Sequence, residues 1–150
     1  SFTDLRELPR ASALIKKFLI NKARTLIYST ALPPAITAAA LASIRWIRTH
    51  PDAAKGLLAN AQFFRNKLAT YKIDTSPSSS QIVPVIVGTN ERALSISDFL
   101  LNKKILAIAI RPPTVPPGKS RIRFSITLKH SPELLSEVAE LMAEAIHNVK

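Results

Sequence analysis

Cysteine is absent from the 150 residues, which excludes disulfides and thiolate metal sites alike. Glycine is scarce: Gly56, Gly88 and Gly118 stand far apart, so no glycine-rich phosphate loop can be drawn and nucleotide binding by that route is excluded. The three histidines, at 50, 130 and 147, are scattered, and none sits in a nucleophile motif with a serine. Apolar runs are short, Ile105–Ile110 being typical, against the roughly 20 residues that a membrane span requires. Acidic residues are few, and Asp52, Asp98 and Glu133 read as charges in or near helical first turns rather than as general acids. The chain begins Ser-Phe-Thr-Asp, without an initiator Met or an apolar signal core, from which we expect processing or excision from something longer.

What is present is a basic, apolar-rich chain. Lys and Arg number 21 against 10 Asp and Glu, a net charge of +11, and 47% of residues are hydrophobic. That content sustains a core, and the length is one domain's worth. A basic balance raises nucleic acid as a partner, but the charges are spread along the chain without a dense tract or interleaved aromatics. Excess positive charge also arises when a chain is one half of a protein whose other half is acidic.

Periodicity divides the chain into two parts. Residues 12–27 carry apolar side chains at helical spacing, Pro34 is suited to the first turn of an alanine-rich helix over 34–49, and His50-Pro51 separates it from a third helix over 51–71. The polar stretch 74–80 is a connection. Beyond it the pattern predicts a strand over 82–87, placed at an edge by Pro84, a helix over 91–102, strands over 105–110 and 121–128, and a helix over 132–147. The expected fold class is α+β: residues 72–150 as a βαββα unit, with a small, mainly antiparallel sheet and helices on one face. Residues 1–71 are expected to be a helical connector and interface segment, with apolar faces at 14–27 and 34–49 that need covering.

The stretch Ile105–Leu128 concentrates the chemistry. Ile122, Phe124, Ile126 and Leu128 alternate with Arg121, Arg123, Ser125 and Thr127, so one face of the strand is apolar and the other polar. Between the two strands, prolines at 112, 113, 116 and 117 fix φ and remove donors, giving a stiff loop with Arg111 at its entry and Thr114 near its middle. Guanidinium groups at the rim of a small sheet suit a carboxylate or a phosphate. The plainer alternative, a solvated polar face of a half-buried strand, stays open on the residues alone.

Two stretches, INKARTLIYSTALPPA (20–35) and AIRPPTVPPGKSRIRFSIT (109–127), resemble signature regions of the 8-amino-7-oxononanoate synthases, members of the α-oxoamine synthases, which are pyridoxal-phosphate (PLP) enzymes of the aspartate-aminotransferase fold. The likeness runs over residues ~14–148, and the Arg-Pro-Pro-Thr-Val-Pro string favours this group over relatives that act on glycine. The resemblance implies the C-terminal portion of the enzyme, including its small domain. It implies an acyltransferase that condenses L-alanine with a pimeloyl thioester, carried by coenzyme A or a carrier protein, in biotin biosynthesis. Carried over position by position, Arg123 would bind the amino-acid carboxylate, Arg111 and Thr114 would line the substrate site, and Ser29 and Thr30 would reach the cofactor phosphate of the neighbouring subunit of a homodimer.

The departures from the family pattern are large. No Thr/Ser-rich, glycine-containing lysine motif occurs, so the Schiff-base lysine is lacking, as are the pyridine-pairing aspartate, the ring-stacking histidine and the phosphate segment. No catalytic residue and no metal ligand is assigned in this chain. The resemblance thus implies PLP for the full-length enzyme and none bound by the chain alone, which is expected to be inactive without a missing N-terminal half. A cytoplasmic location and no membrane or nucleic-acid partner are expected. A non-catalytic βαββα interaction or regulatory module and a basic nucleic-acid binder are the alternative functions.

Overall fold

The computed structural model describes residues 12–23 and 33–149. Two compact units divide between Trp46 and Ile47. In the first, helix α1 spans Ala13–Lys22 and opens on Ser12, whose hydroxyl accepts the Ile15 N–H at 3.3 Å. The expected helix over 12–27 is shorter here, since Ala23 turns to extended backbone; residues 24–32 lie outside the described ones. Helix α2, Pro34–Thr49, starts on its proline and contains no buried residue.

The second unit is built on a three-stranded antiparallel sheet of order β1-β3-β2, comprising β1 (Ile82–Gly88), β2 (Ile108–Ile110) and β3 (Ser120–Ser125). Helices α3 (Ala53–Thr70), α4 (Asn90–Asn102) and α5 (Pro132–Asn148) complete it. Burial alternates along the strands: Val83, Val85 and Val87 of β1 and Ile122 and Phe124 of β3 face the helices, while Pro84, Ile86, Arg121 and Arg123 face the other way. The helices fill the covered side with Phe64, Leu68, Ile96, Leu100 and Met142, all fully buried. Phe64 meets Phe124 edge to face at 5.1 Å, a geometry that adds about 0.5–1.5 kcal/mol to the burial of the two rings.

The boundary expected at residue 72 lies elsewhere, because α3 belongs to the sheet unit: Ala61, Phe64 and Leu68 form part of its core. Asn60 further ties α3 to the turn after β3, donating from Nδ2 to the carbonyls of Thr127 and His130. Gly56 lies close to that turn: a Cβ there would come within 3.2 Å of Leu128 Cδ2, which would have to give by a few tenths of an ångström.

Strand β2 is also shorter than expected, and the cause is the end of α4. Lys104 sits at φ 64°, its N–H donates to Leu101 O at 2.8 Å, and the Ile105 N–H donates to Leu100 O at 2.9 Å. This paired closure of a helix C-terminus usually places glycine in the left-handed position. It takes up Ile105 and leaves only residues 108–110 for the sheet. Helix α3 closes in the same way on Lys72 (φ 56°), with Lys72 and Ile73 donating to Ala69 and Leu68. Strand β3 ends at Ser125 rather than at 128; Ile126 still donates to Gln81 O at 2.9 Å before the chain turns.

The serine-rich connection at 74–80 has a structural task. Along the outer edge of β1, Ser80 Oγ accepts the Ile82 N–H, Ser78 Oγ donates to Ile82 O, Asp74 O accepts the Ile86 N–H, and Pro84 has no N–H to offer. Arg65 of α3 pins the segment by donating to Ser80 O at 2.9 Å. Between Ile82 and Ile86 this edge thereby has no backbone N–H left to offer another strand.

Candidate functional site

The uncovered face of the sheet is where the arginines gather. Arg123 of β3 pairs in register with Pro84 of β1 on one side and Ile108 of β2 on the other; Arg121 lies likewise between Ile86 and Ile110. Each guanidinium stem therefore rises between two apolar neighbours. Arg123 Nε is buried and has no hydrogen-bond partner. Native proteins rarely leave such a donor unanswered, since an unmet buried polar group costs roughly 1–3 kcal/mol. Arg121 differs, donating from Nε to Lys119 O at 3.1 Å.

Arg111 follows directly on Ile110, which is paired with Arg121, so the loop entry lies at the same end of β3. Arg111 and Thr114 are both exposed. The Thr114 N–H donates to Arg111 O at 3.0 Å, closing a turn around Pro112 and Pro113, whose peptide bond is cis. A second turn, Lys119 N–H to Pro116 O, precedes β3. The loop is anchored by Ser120, fully buried, whose hydroxyl donates to Asn90 Oδ1 at 2.7 Å at the start of α4. Asn90 is not among the residues that the sequence pattern marked. The signal available was its place beside the helix-capping Thr89, whose hydroxyl accepts the Arg92 N–H.

Arg123, Arg111 and Thr114 are thus borne on one strand and the loop that leads into it. Ser29 and Thr30 lie outside the described residues. Every described carboxylate is exposed, and of those assigned to helical first turns, Asp98 instead falls in the body of α4. Glu133 does stand in the first turn of α5, where hydrogen bonding to its own backbone N–H and then to Ser131 holds its carboxyl below the ordinary value.

PLP chemistry needs a lysine in an enclosed site and a carboxylate paired with the ring nitrogen. The described residues do not fit that need. None of the described lysines is buried: Lys67 and Lys103 lie over the Phe63 and Phe99 rings, and Lys55 pairs with exposed Asp52. What the open face presents instead is cationic, the unanswered Arg123 Nε beside the Arg121 guanidinium.

The family model for aminotransferase class I and II matches residues 11–141. The 8-amino-7-oxononanoate synthase of Citrifermentans bemidjiense is 41% identical over 136 residues, which are 89% of this chain and 35% of that protein. Among solved structures, a serine palmitoyltransferase determined with PLP superposes with a TM-score of 0.81 at 27% identity, over 89% of this chain and 34% of its own. An 8-amino-7-oxononanoate synthase from Francisella tularensis gives 0.75 at 26%, over 92% and 40%. The chain spans about a third of the length of the curated relatives it matches.

Proposed function

As the chain belongs to the aminotransferase class I and II family, we propose that it supplies the substrate-carboxylate side of an 8-amino-7-oxononanoate synthase, a PLP-dependent acyltransferase joining L-alanine to a pimeloyl thioester in biotin biosynthesis. The observation that carries this reading is the buried, unpartnered Nε of Arg123 on the open sheet face. Arg123 receives the alanine carboxylate, its flanking Pro84 and Ile108 keeping the guanidinium from swinging aside and excluding water from one side of the contact. Arg111 and Thr114 line the same site from the proline-rich loop, whose two turns fix its shape before substrate arrives. Ser29 and Thr30 bind the cofactor phosphate of the neighbouring subunit in a homodimer. PLP, when held by the completed enzyme, supplies the electron sink for the alanine α-carbon. The lysine, the aspartate and the ring-stacking group come from outside this chain, and the sheet unit, residues 47–150, acts as its substrate-binding α+β portion in the cytoplasm.

The test is complementation. The purified chain, given PLP, alanine and pimeloyl-CoA, is expected to release no thiol. Co-expressed with the part of the Citrifermentans bemidjiense synthase that it does not match, it should restore turnover. Steady thiol release by the chain alone, with a borohydride-trapped cofactor on one of its lysines, would overturn the reading and make an exposed lysine catalytic.

A further inference from the structure

The loop that carries Arg111 and Thr114 is shaped from within but thinly attached. Its prolines at 112, 113, 116 and 117 have no N–H to donate, and its two backbone hydrogen bonds, Thr114 to Arg111 and Lys119 to Pro116, close turns inside the loop itself. The bond from Arg121 Nε to Lys119 O at its end is equally local. On one side the loop faces a space of about 340 Å³, with Pro112, Pro117 and Gly118 on one wall and Thr89, Asn90 and Glu91, where β1 turns into α4, on the other. Side-chain packing does not close that gap.

Among the described residues, the hydrogen bond that leads from the foot of this loop to α4 is the one from Ser120 Oγ to Asn90 Oδ1, at 2.7 Å. The backbone brings the two together. Ser120 pairs with Gly88 where the register of β1 and β3 shifts, and Gly88, at φ 94°, redirects the chain so that Asn90 stands against the first residue of β3. The bond is unequal in what it means to its partners. Ser120 is fully buried and Asn90 is exposed, so the hydroxyl has no water to turn to, whereas the amide oxygen does.

Granted the substrate site proposed for Arg123, Arg111 and Thr114, we infer that Asn90 is a positioning residue for it: through Ser120 it fixes the foot of the proline-rich loop and so the places of Arg111 and Thr114. Arg123 does not share this dependence, since Pro84 and Ile108 hold it in register from two strands. Without the bond the loop keeps its two turns and swings as a body about Ser120. A displacement of about 1 Å in a group that positions substrate is enough to cost up to about a hundredfold in rate.

Two variants separate positioning from plain stability. Asn90→Ala leaves a buried hydroxyl unpaired and should lower the urea midpoint, whereas Ser120→Ala removes the hydroxyl itself and should leave the midpoint nearly unchanged. Both cut the bond, so backbone nitrogen relaxation of the 150-residue chain should show Thr114, Val115 and Gly118 loosened in both, with Val85 and Phe124 as rigid as before. In the complemented enzyme each should lower kcat/KM for alanine about fivefold or more, and Asn90→Asp, which keeps the acceptor oxygen, should restore it to within about twofold. A loop as rigid in both variants as in the unaltered chain, loosening that spreads to Val85 and Phe124 in Ser120→Ala, unaltered kcat/KM in a variant whose loop has loosened, or an Asn90→Asp chain as impaired as Asn90→Ala would each overturn the proposal. If the unaltered chain itself fails to complement, the reading of the substrate site falls and the positioning role with it, while the relaxation measurement still decides whether the bond holds the loop.

Discussion

The two faces of β3 differ in a way that sorts the unit into scaffold and site. On one, Ile122 and Phe124 belong to the apolar core under the helices, with the buried Ser120 bonded to Asn90 at its end. On the other, one residue away in each direction, Arg121 and Arg123 stand between aliphatic neighbours. The first face gains free energy by excluding water. The second holds a donor away from water without giving it a partner, an arrangement that costs stability unless a ligand answers it. A strand whose chemistry alternates from one residue to the next thus joins the part that folds the unit to a part that leaves a donor unanswered.

The sharpest way to break the scaffold half of this comparison is Phe64→Ala, which empties a fully buried position and removes the edge-to-face contact with Phe124. We expect a loss of about 3–5 kcal/mol in urea unfolding. On the other face, Arg123→Ala should reduce kcat/KM for alanine by roughly 10–100-fold in the complemented enzyme while leaving the ligand-free unit no less stable, and up to about 1–3 kcal/mol more stable, as the unmet donor is removed. The reverse pattern, full activity with lowered stability, would make the arginine a packing residue. Lys72→Gly probes the left-handed turn that closes α3 and should stabilise by about 0.5–1 kcal/mol, read from the urea midpoint, since glycine adopts that turn without a Cβ clash.

The smallest effect concerns Glu133. Its carboxyl titrates below the ordinary range because its own backbone N–H and the Ser131 hydroxyl favour the charged form. A lowered folded-state value makes this contribution full above the unfolded carboxylate range and lost as pH falls through the folded value. Glu133→Gln should therefore flatten a shallow acid-side slope in Tm, measured from about pH 7 to about pH 3.

Much of this comparison was legible in the residues themselves. The alternation at 121–126 assigns both faces of β3, and Pro84 announces an edge, because each depends on local pattern alone. The lengths of β2 and β3 were not legible: they hinge on Lys104 taking a conformation normally reserved for glycine, and a lysine gives no sign of that. The serines at 78 and 80 read as a featureless connection, since their role depends on which strand they lie against. Arg123 could be marked as an anion ligand or as a solvated residue, and the choice rests on the burial of one nitrogen, which comes from its neighbours on two other strands. Helix α3 was assigned to the wrong part because an amphipathic stripe states that a face is covered without stating by what.

The stopped edge of β1 also sets the arithmetic of growth for this sheet. With Ser78, Ser80 and Asp74 closing one side, a newcomer has one place to join, alongside β2, and a subunit with a single docking position ends any assembly it enters. Take away the two serine hydroxyls and only the Ile82 end of that edge reopens, since Asp74 still holds the Ile86 N–H and Pro84 still has none to offer.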